Sequence, residues 1–225
     1  MFEMKAGVIF RPFMIRRFSV RLFGLWLFGA LPLLPIPLMA QSDILGYVWQ
    51  GVQQAQNTTL NACGKLTETR TSKLMSRPMV LRGHFCASGR TQFMLEYTEP
   101  TALRIRYNDG VLNVTSGGHT EAMDVGTSVR RAQDSFSREN SIGGLKKRFN
   151  ISVTETKGEY EMKLQPRSAP FARRINYILV KLQKQSFLPR LLEIDGKNGV
   201  NSVFAIEITS TNTKIPAGIF EVNKP

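Results

Sequence analysis

From Leu60 onward, the apolar residues of this chain fall at every second position in short segments broken by Gly, Pro and Asn-Asp-Gly. That alternation limits the fold more than any other feature. A period of two sends successive side chains to opposite faces of a strand, and the tight turns between segments join such strands as antiparallel hairpins. Over 90–97, Phe93, Leu95 and Tyr97 share one face, and Gln92, Met94 and Glu96 share the other. The next segment sets Leu103, Ile105 and Tyr107 against Arg104 and Arg106 and closes at Asn108-Asp109-Gly110, a hairpin turn. Further strands are predicted over 60–70, 79–87, 150–156, 160–165, 176–184, 190–194, 202–209 and 219–222. Lys157-Gly158 and Ser116-Gly117-Gly118-His119 read as turns. The fold class is mainly β with helices (α+β).

Two stretches break the alternation. Ser42 and Asp43 offer N-caps to a run in which Ile44, Leu45, Val48, Trp49 and Val52 recur at three and four, so an amphipathic helix is predicted to about Asn57. Over 128–149, Val129, Ala132, Phe136, Ile142, Leu145 and Phe149 suit a second helical element interrupted at Gly143-Gly144. Arg130, Arg131, Lys146, Lys147 and Arg148 surround it. A lid or crossover is expected there.

The first forty residues read as an export address. Lys5, Arg11, Arg16, Arg17 and Arg21 precede the uncharged run Leu22–Leu38, and Leu38-Met39-Ala40 ends in a small residue that signal peptidase accepts. Cleavage after Ala40 would leave 41–225 as one soluble periplasmic domain, with no Cys beside the cut to carry a lipid anchor. A membrane anchor is the competing reading, but the run falls short of the roughly 20 residues a spanning helix needs, and Pro32, Pro35 and Pro37 interrupt it. A start at Met14 would give a compact Met-Ile-Arg-Arg leader.

Removing 1–40 takes away five basic residues and one acidic residue, so a net charge of +13 falls to +9. A basic exported domain suits anionic lipid or an acidic partner, or carries a solvated basic surface. Nucleic acid is not expected, since no aromatic-interleaved basic motif is present. Cys63 and Cys86 are the only cysteines. If 60–70 and 79–87 pair with residue numbers summing to 149, the two cysteines face each other, and export would favour a disulfide over two buried thiols.

Catalytic chemistry is poorly represented. His84 and His119 are the only histidines, and neither HExxH nor GxSxG spacing occurs. His84-Phe85-Cys86 reads as a surface histidine beside a bridged cysteine. Glu96 and Glu99 read as a solvated face rather than a carboxylate pair, and the Gly117-Gly118 turn lacks the following helix of a phosphate cradle. No enzyme activity, metal or cofactor is expected.

Several runs together resemble the LolA family of outer-membrane lipoprotein carriers. They are Lys65-Leu66-Thr67-Glu68-Thr69-Arg70, Ser76-Arg77-Pro78, Arg82-Gly83-His84-Phe85, Glu96-Tyr97-Thr98-Glu99-Pro100 and Asn108-Asp109-Gly110. Leu188-Pro189-Arg190, Asp195-Gly196 with Gly199, Phe204, and Ile215-Pro216 with Phe220-Glu221-Val222 continue the resemblance, which covers about residues 42–225. It implies an incomplete, strongly curved antiparallel β-barrel closed by an α-helical lid, with an apolar cavity for acyl chains. It implies a monomeric carrier that takes acylated lipoprotein or lipid from an inner-membrane donor complex to an outer-membrane acceptor. Arg90 stands within a position of a basic residue that the family has in this loop, which implies a lid or gate contact. The family commonly has an aromatic residue where Leu95 stands.

The candidate acyl-chain face comprises Leu81, Phe85, Phe93, Leu95, Tyr97, Leu103, Ile105, Tyr107, Ile178, Val180 and Leu182. Alternation alone fits a solid core equally well, because any half-buried sheet presents such residues to helices. A lipid-sensing or accessory subunit of a membrane complex would use the same fold. An envelope enzyme acting on lipid or glycan is a third class, which the scarcity of histidine disfavours.

Overall fold

The computed structural model describes residues 39–89, 91–125, 142–167 and 169–223. The chain enters through α1 (Met39–Thr58) and then runs as β1 (Asn61–Ser72), β2 (Met79–Ser88), β3 (Gln92–Glu99), β4 (Leu103–Asn108), β5 (Val111–Ser116) and β6 (His119–Asp124). After α2 (Ile142–Arg148) come β7 (Phe149–Glu155), β8 (Glu159–Pro166), the single turn α3 (Ala169–Ala172), β9 (Ile175–Gln183), β10 (Pro189–Gly196) and β11 (Val200–Thr211). All eleven strands form one sheet in the order β6-β5-β4-β3-β2-β1-β11-β10-β9-β8-β7. Every neighbouring pair is antiparallel. Two meanders thus join along β1 and β11, and the sheet stays open, with β6 and β7 at its edges.

Turn chemistry sets this connectivity. Asp109 and Gly110 both have positive φ (41° and 98°), as a two-residue hairpin between β4 and β5 requires, and Gly117-Gly118 turns β5 into β6 in the same way. In the first hairpin Leu66 faces Gly83, Glu68 faces Leu81 and Cys63 faces Cys86. The two cysteines are disulfide-bonded, with Cα atoms 4.1 Å apart.

Four expectations are corrected. First, α1 begins at Met39, so Ser42 and Asp43 lie inside the helix rather than at its cap; Met, Ala and Gln are good helix formers that extend it upstream. Second, Phe149 opens β7 instead of ending a helix, because pairing opposite Pro166 buries its ring in the core. Third, Gly143 and Gly144 sit within α2 and do not interrupt it. Fourth, residues 219–222 form no strand: the segment turns at Gly218, where the Glu221 N–H donates to the Gly218 carbonyl oxygen. Val129, Arg130, Arg131, Ala132 and Phe136, like Arg90 and residues 1–38 of the export segment, lie outside the described residues.

The main core lies where α1 meets the C-terminal meander. Leu45 and Val48 are buried against Phe149, Val153, Tyr160, Met162, Leu164 and Leu182, with Leu145 of α2 beside them. Gly51 is part of this docking surface. A Cβ there would stand 2.5 Å from the Phe187 ring, so only glycine lets that ring lie against the helix. Phe187 in turn stacks on Tyr160 at 5.7 Å and meets the edge of Tyr47 at 5.7 Å.

Candidate functional site

Register carries one apolar face from β5 across the sheet to β7. One row reads Ile206, Leu66, Gly83, Tyr97 and Leu103 on β11, β1, β2, β3 and β4. The next reads Ile208, Gly64, Phe85, Leu95, Ile105 and Val114, extending onto β5. A third passes from Leu81 and Glu68 through Phe204, Leu192 and Val180 to Met162 and Val153 at the other edge.

The eleven candidate residues all lie on this face, but they fall into two environments. Leu182 is buried in the core under α1, and Ile178 and Val180 pack against the same core. Leu95 and Tyr97 are buried in a separate cluster with Leu66, and Leu81, Phe85, Phe93, Leu103 and Ile105 pack around them half-buried. Every described member of that second cluster belongs to a strand. Tyr107 is half-buried in the row of Ala87 and Phe93 and joins neither cluster. Leu66, Phe204 and Ile206 also belong to the second cluster and are not among the candidates for the acyl-chain face read from sequence. Their period-two spacing on β1 and β11 was the signal that could have placed them.

The second cluster surrounds a polar group that sequence reasoning missed. Glu68 is 1% exposed, on the same face as Leu66 and Phe204. Its Oε2 accepts from the Tyr97 hydroxyl at 2.6 Å, and its Oε1 accepts from Arg70 Nε and Nη2 at 3.0 and 2.7 Å. Tyr97 reaches it from β3 across β2, over Gly83, which presents no side chain on the face. A Cβ on Gly83 would also lie 1.9 Å from the Glu96 carbonyl oxygen, so glycine is needed for β2 and β3 to approach here. Burial, then the hydrogen bond and charge of Glu68, hold the Tyr97 hydroxyl well above its ordinary range. Both carboxylate oxygens are satisfied, as a buried charge requires.

The opposite face of the same strands is covered rather than wet. Cys86, Met94 and Phe220 are buried there, with Cys63, Ile215 and Ile219 packed on them. The Asn108 side chain donates to the Phe220 carbonyl oxygen at 3.2 Å, and Arg106 Nη1 donates to that of Glu221 at 3.3 Å. The last turn therefore straps the back of the N-terminal meander. Glu96 pairs with Arg104, and Glu99 pairs with Arg82 at 3.1 Å, while His84 is exposed. Among the described residues no group of three or more His, Cys, Asp or Glu is placed to hold a metal ion, and no helix is long and apolar enough to cross a membrane. A pocket of about 300 Å³ lies under the C-terminal segment, and one of about 680 Å³ lies beside α3; neither is lined by the second cluster.

No family model and no curated protein matches this sequence. Among solved structures the fold is similar to that of MucB, with a TM-score of 0.50 at 10% identity, over 80% of this chain and 63% of that one. It is similar to an uncharacterized conserved protein from Thermus thermophilus at a TM-score of 0.49 and 10% identity, covering 80% and 95% of the two chains. A more distant similarity joins it to the LolA superfamily protein NE2245 from Nitrosomonas europaea, at a TM-score of 0.41 and 10% identity over 79% and 97%. At these identities the likeness concerns the fold alone: a mainly β architecture in which one open antiparallel sheet carries helices.

Proposed function

We propose that the chain is a periplasmic carrier that shelters the acyl chains of a lipid or lipoprotein against the apolar face of β1–β5 and β11. The observation that carries this reading is the second cluster. Seven large apolar side chains around Leu66, Leu95 and Tyr97 remain half-buried, and no described helix packs on them. A run of adjacent apolar groups with no described layer over it suits a binding role. An acyl chain laid there would gain about 0.8 kcal/mol per buried methylene, so a dozen methylenes give on the order of 10 kcal/mol before the costs of association.

The proposed cycle is noncatalytic. A donor at the inner membrane loads the chain and an acceptor at the outer membrane unloads it; export with cleavage after Ala40 places the domain between them. Carriage needs only reversible exchange, because an acyl chain held too tightly is not released. Of residues 128–149, read from sequence as a lid or crossover, the part outside the described residues is the proposed cover for the cluster when cargo is absent.

The test is native mass spectrometry of protein recovered from its host's envelope, with identification of whatever is released on denaturation. A stoichiometric acylated lipid or lipoprotein is the expected result. A clean apo mass, unchanged after incubation with membrane lipids, would sink the carrier reading and favour a protein-binding role for the same face.

A further inference from the structure

Charge is unevenly divided between the turns at the two ends of β1, β2 and β7–β11; beside them at the basic end, Glu99 of β3 is paired with Arg82. At the end where β1, β8 and β10 finish, the β1–β2 turn carries Lys73 and Arg77; the last turn of α2 carries Lys146, Lys147 and Arg148; Arg167, Arg173 and Arg174 flank α3; and the β10–β11 turn carries Lys197. Residues 73–78, 142–148, 167–174 and 197–199 contain no Asp or Glu. The opposite end mixes signs: Asp109 and Lys157 sit in its turns, Lys184 pairs with Glu155 and Arg190 with Glu159.

The basic turns are joined into one band. Arg167 donates from its backbone N–H to the Arg148 carbonyl oxygen at 2.6 Å and from Nη1 to that of Lys146 at 3.2 Å. The Arg174 N–H donates to the Phe171 carbonyl oxygen at 2.9 Å, and the Lys197 N–H to that of Arg174 at 2.9 Å. Gly199 then meets the stem of Lys73, whose Cγ would lie 3.9 Å from a Cβ built there. Among the described residues, none of Lys73, Arg77, Arg167, Arg173, Arg174 and Lys197 pairs with a carboxylate.

Apolar tips project from the same band. Leu74 is 97% exposed at the β1–β2 turn, between Lys73 and Arg77. Phe171 of α3 is 36% exposed and lines the 680 Å³ pocket with Arg173 and Arg174. A protein partner favours a contiguous apolar centre ringed by polar groups. Isolated apolar tips among unpaired cations instead suit a fluid anionic surface, where each tip enters the interface and each cation finds a head group.

We propose that this rim docks on the anionic phosphate head groups of a lipid bilayer, with Leu74 and Phe171 entering the interface. Docking of this kind does not depend on acyl-chain carriage.

Vesicle flotation tests it, using the protein as its host produces it. Phosphatidylglycerol-containing vesicles should carry the protein at least about tenfold better than phosphatidylcholine alone, and the difference should vanish as NaCl rises towards about 0.5 M. Arg173→Ala with Arg174→Ala should weaken binding about 25-fold, at roughly fivefold per basic residue, while Lys157→Ala at the opposite end leaves it unchanged. Leu74→Ser, at a position where nothing packs, should weaken it several-fold. Equal flotation with both vesicle types, or rim variants that float like the parent, would overturn the proposal. So would capture of an acidic protein by a chain that ignores vesicles. A fluorescent fatty-acyl probe read on the same samples separates the two ideas: flotation without probe binding supports docking and sinks carriage, and probe binding without flotation does the reverse.

Discussion

Along β7–β9 the apolar face meets α1, whose Leu45 and Val48 are buried against it. Along β1–β5 the same face, in the same register rows, meets no described helix, and the covering segment lies on the other side, where Phe220 buries Met94 and Cys86. Among the described residues, the two halves of one sheet thus have their second layer on opposite faces. Alternation makes a face apolar but does not make it a core; a core needs a layer to pack on it. The covered half holds the fold, and the other half is held from behind, with no described layer on its front.

The largest expected effect sets one half directly against the other. Val48→Asp puts a carboxylate without a partner into the α1 interface, at a residue with no exposed surface, and should cost about 3–5 kcal/mol in urea denaturation. Ile105→Asp places the same charge on the uncovered half and should cost about 1 kcal/mol or less, because water reaches a half-buried site. It should also abolish binding of a fatty-acyl probe. Equal costs at the two positions would mean that both halves are packed cores.

Within the uncovered half, Glu68 is the exception that behaves like core. Glu68→Ala leaves the Tyr97 hydroxyl without its acceptor and Arg70 without its counter-charge, at an expected cost of about 2–3 kcal/mol. Glu68→Gln keeps an acceptor for one partner and should cost about half as much by the same denaturation measurement. If both variants melt like the parent, the buried cluster is not what joins β1 to β3.

On the covered side, Gly51→Ala tests how closely α1 is seated. The added methyl would need the Phe187 ring to leave its stack on Tyr160, while alanine improves helix propensity by about 1 kcal/mol, so the net loss should be only about 1 kcal/mol. Near-UV circular dichroism should change more than the melting temperature, since three aromatic rings share that contact.

Much of this arrangement was legible in the residues. Period two located Phe93, Leu95 and Tyr97 on one face, and a single register sum brought Cys63 to Cys86, because hairpin turns and alternation are local properties. The division of the face was not legible. Ile178 and Ile105 look alike in sequence, and only the path of α1, set by Leu45, Val48 and the gap at Gly51, separates them. Nor did any local pattern announce Glu68. A lone carboxylate on a strand reads as solvated until Tyr97, twenty-nine residues on, is seen to donate to it. The strap differs from its sequence reading for a related reason: Ile219 to Val222 is apolar enough for a strand, and only the turn at Gly218 and the packing of Phe220 on Met94 and Cys86 show it to be a cover.

The smallest effect distinguishes the halves by pH. A tyrosine becomes charged when it loses its proton, and burial with the neighbouring Glu68 charge raises the Tyr97 hydroxyl, so the folded chain keeps this proton where the unfolded chain has released it. The stabilisation that follows is fully present below about pH 10, the unfolded value, and is lost as pH rises above it. Tyr177, on the opposite face of β9, is pushed up to about 12 by its hydrogen bond to Glu193 and by burial, so its loss falls between about pH 10 and pH 12. Lys181, raised by its hydrogen bond to Glu161, loses stabilisation in the same alkaline range, but it is common to parent and variants and cancels in the difference. Tyr97→Phe gives up its hydrogen bond at every pH, so the slope is the quantity to compare rather than the absolute stability. Chemical denaturation at steps from pH 8 to pH 11 should show the parent losing stability above about pH 10, with a shallower loss in Tyr97→Phe and in Tyr177→Phe. If Tyr97→Phe leaves the slope unchanged, solvent reaches that hydroxyl, and the uncovered half is open down to its floor at Glu68.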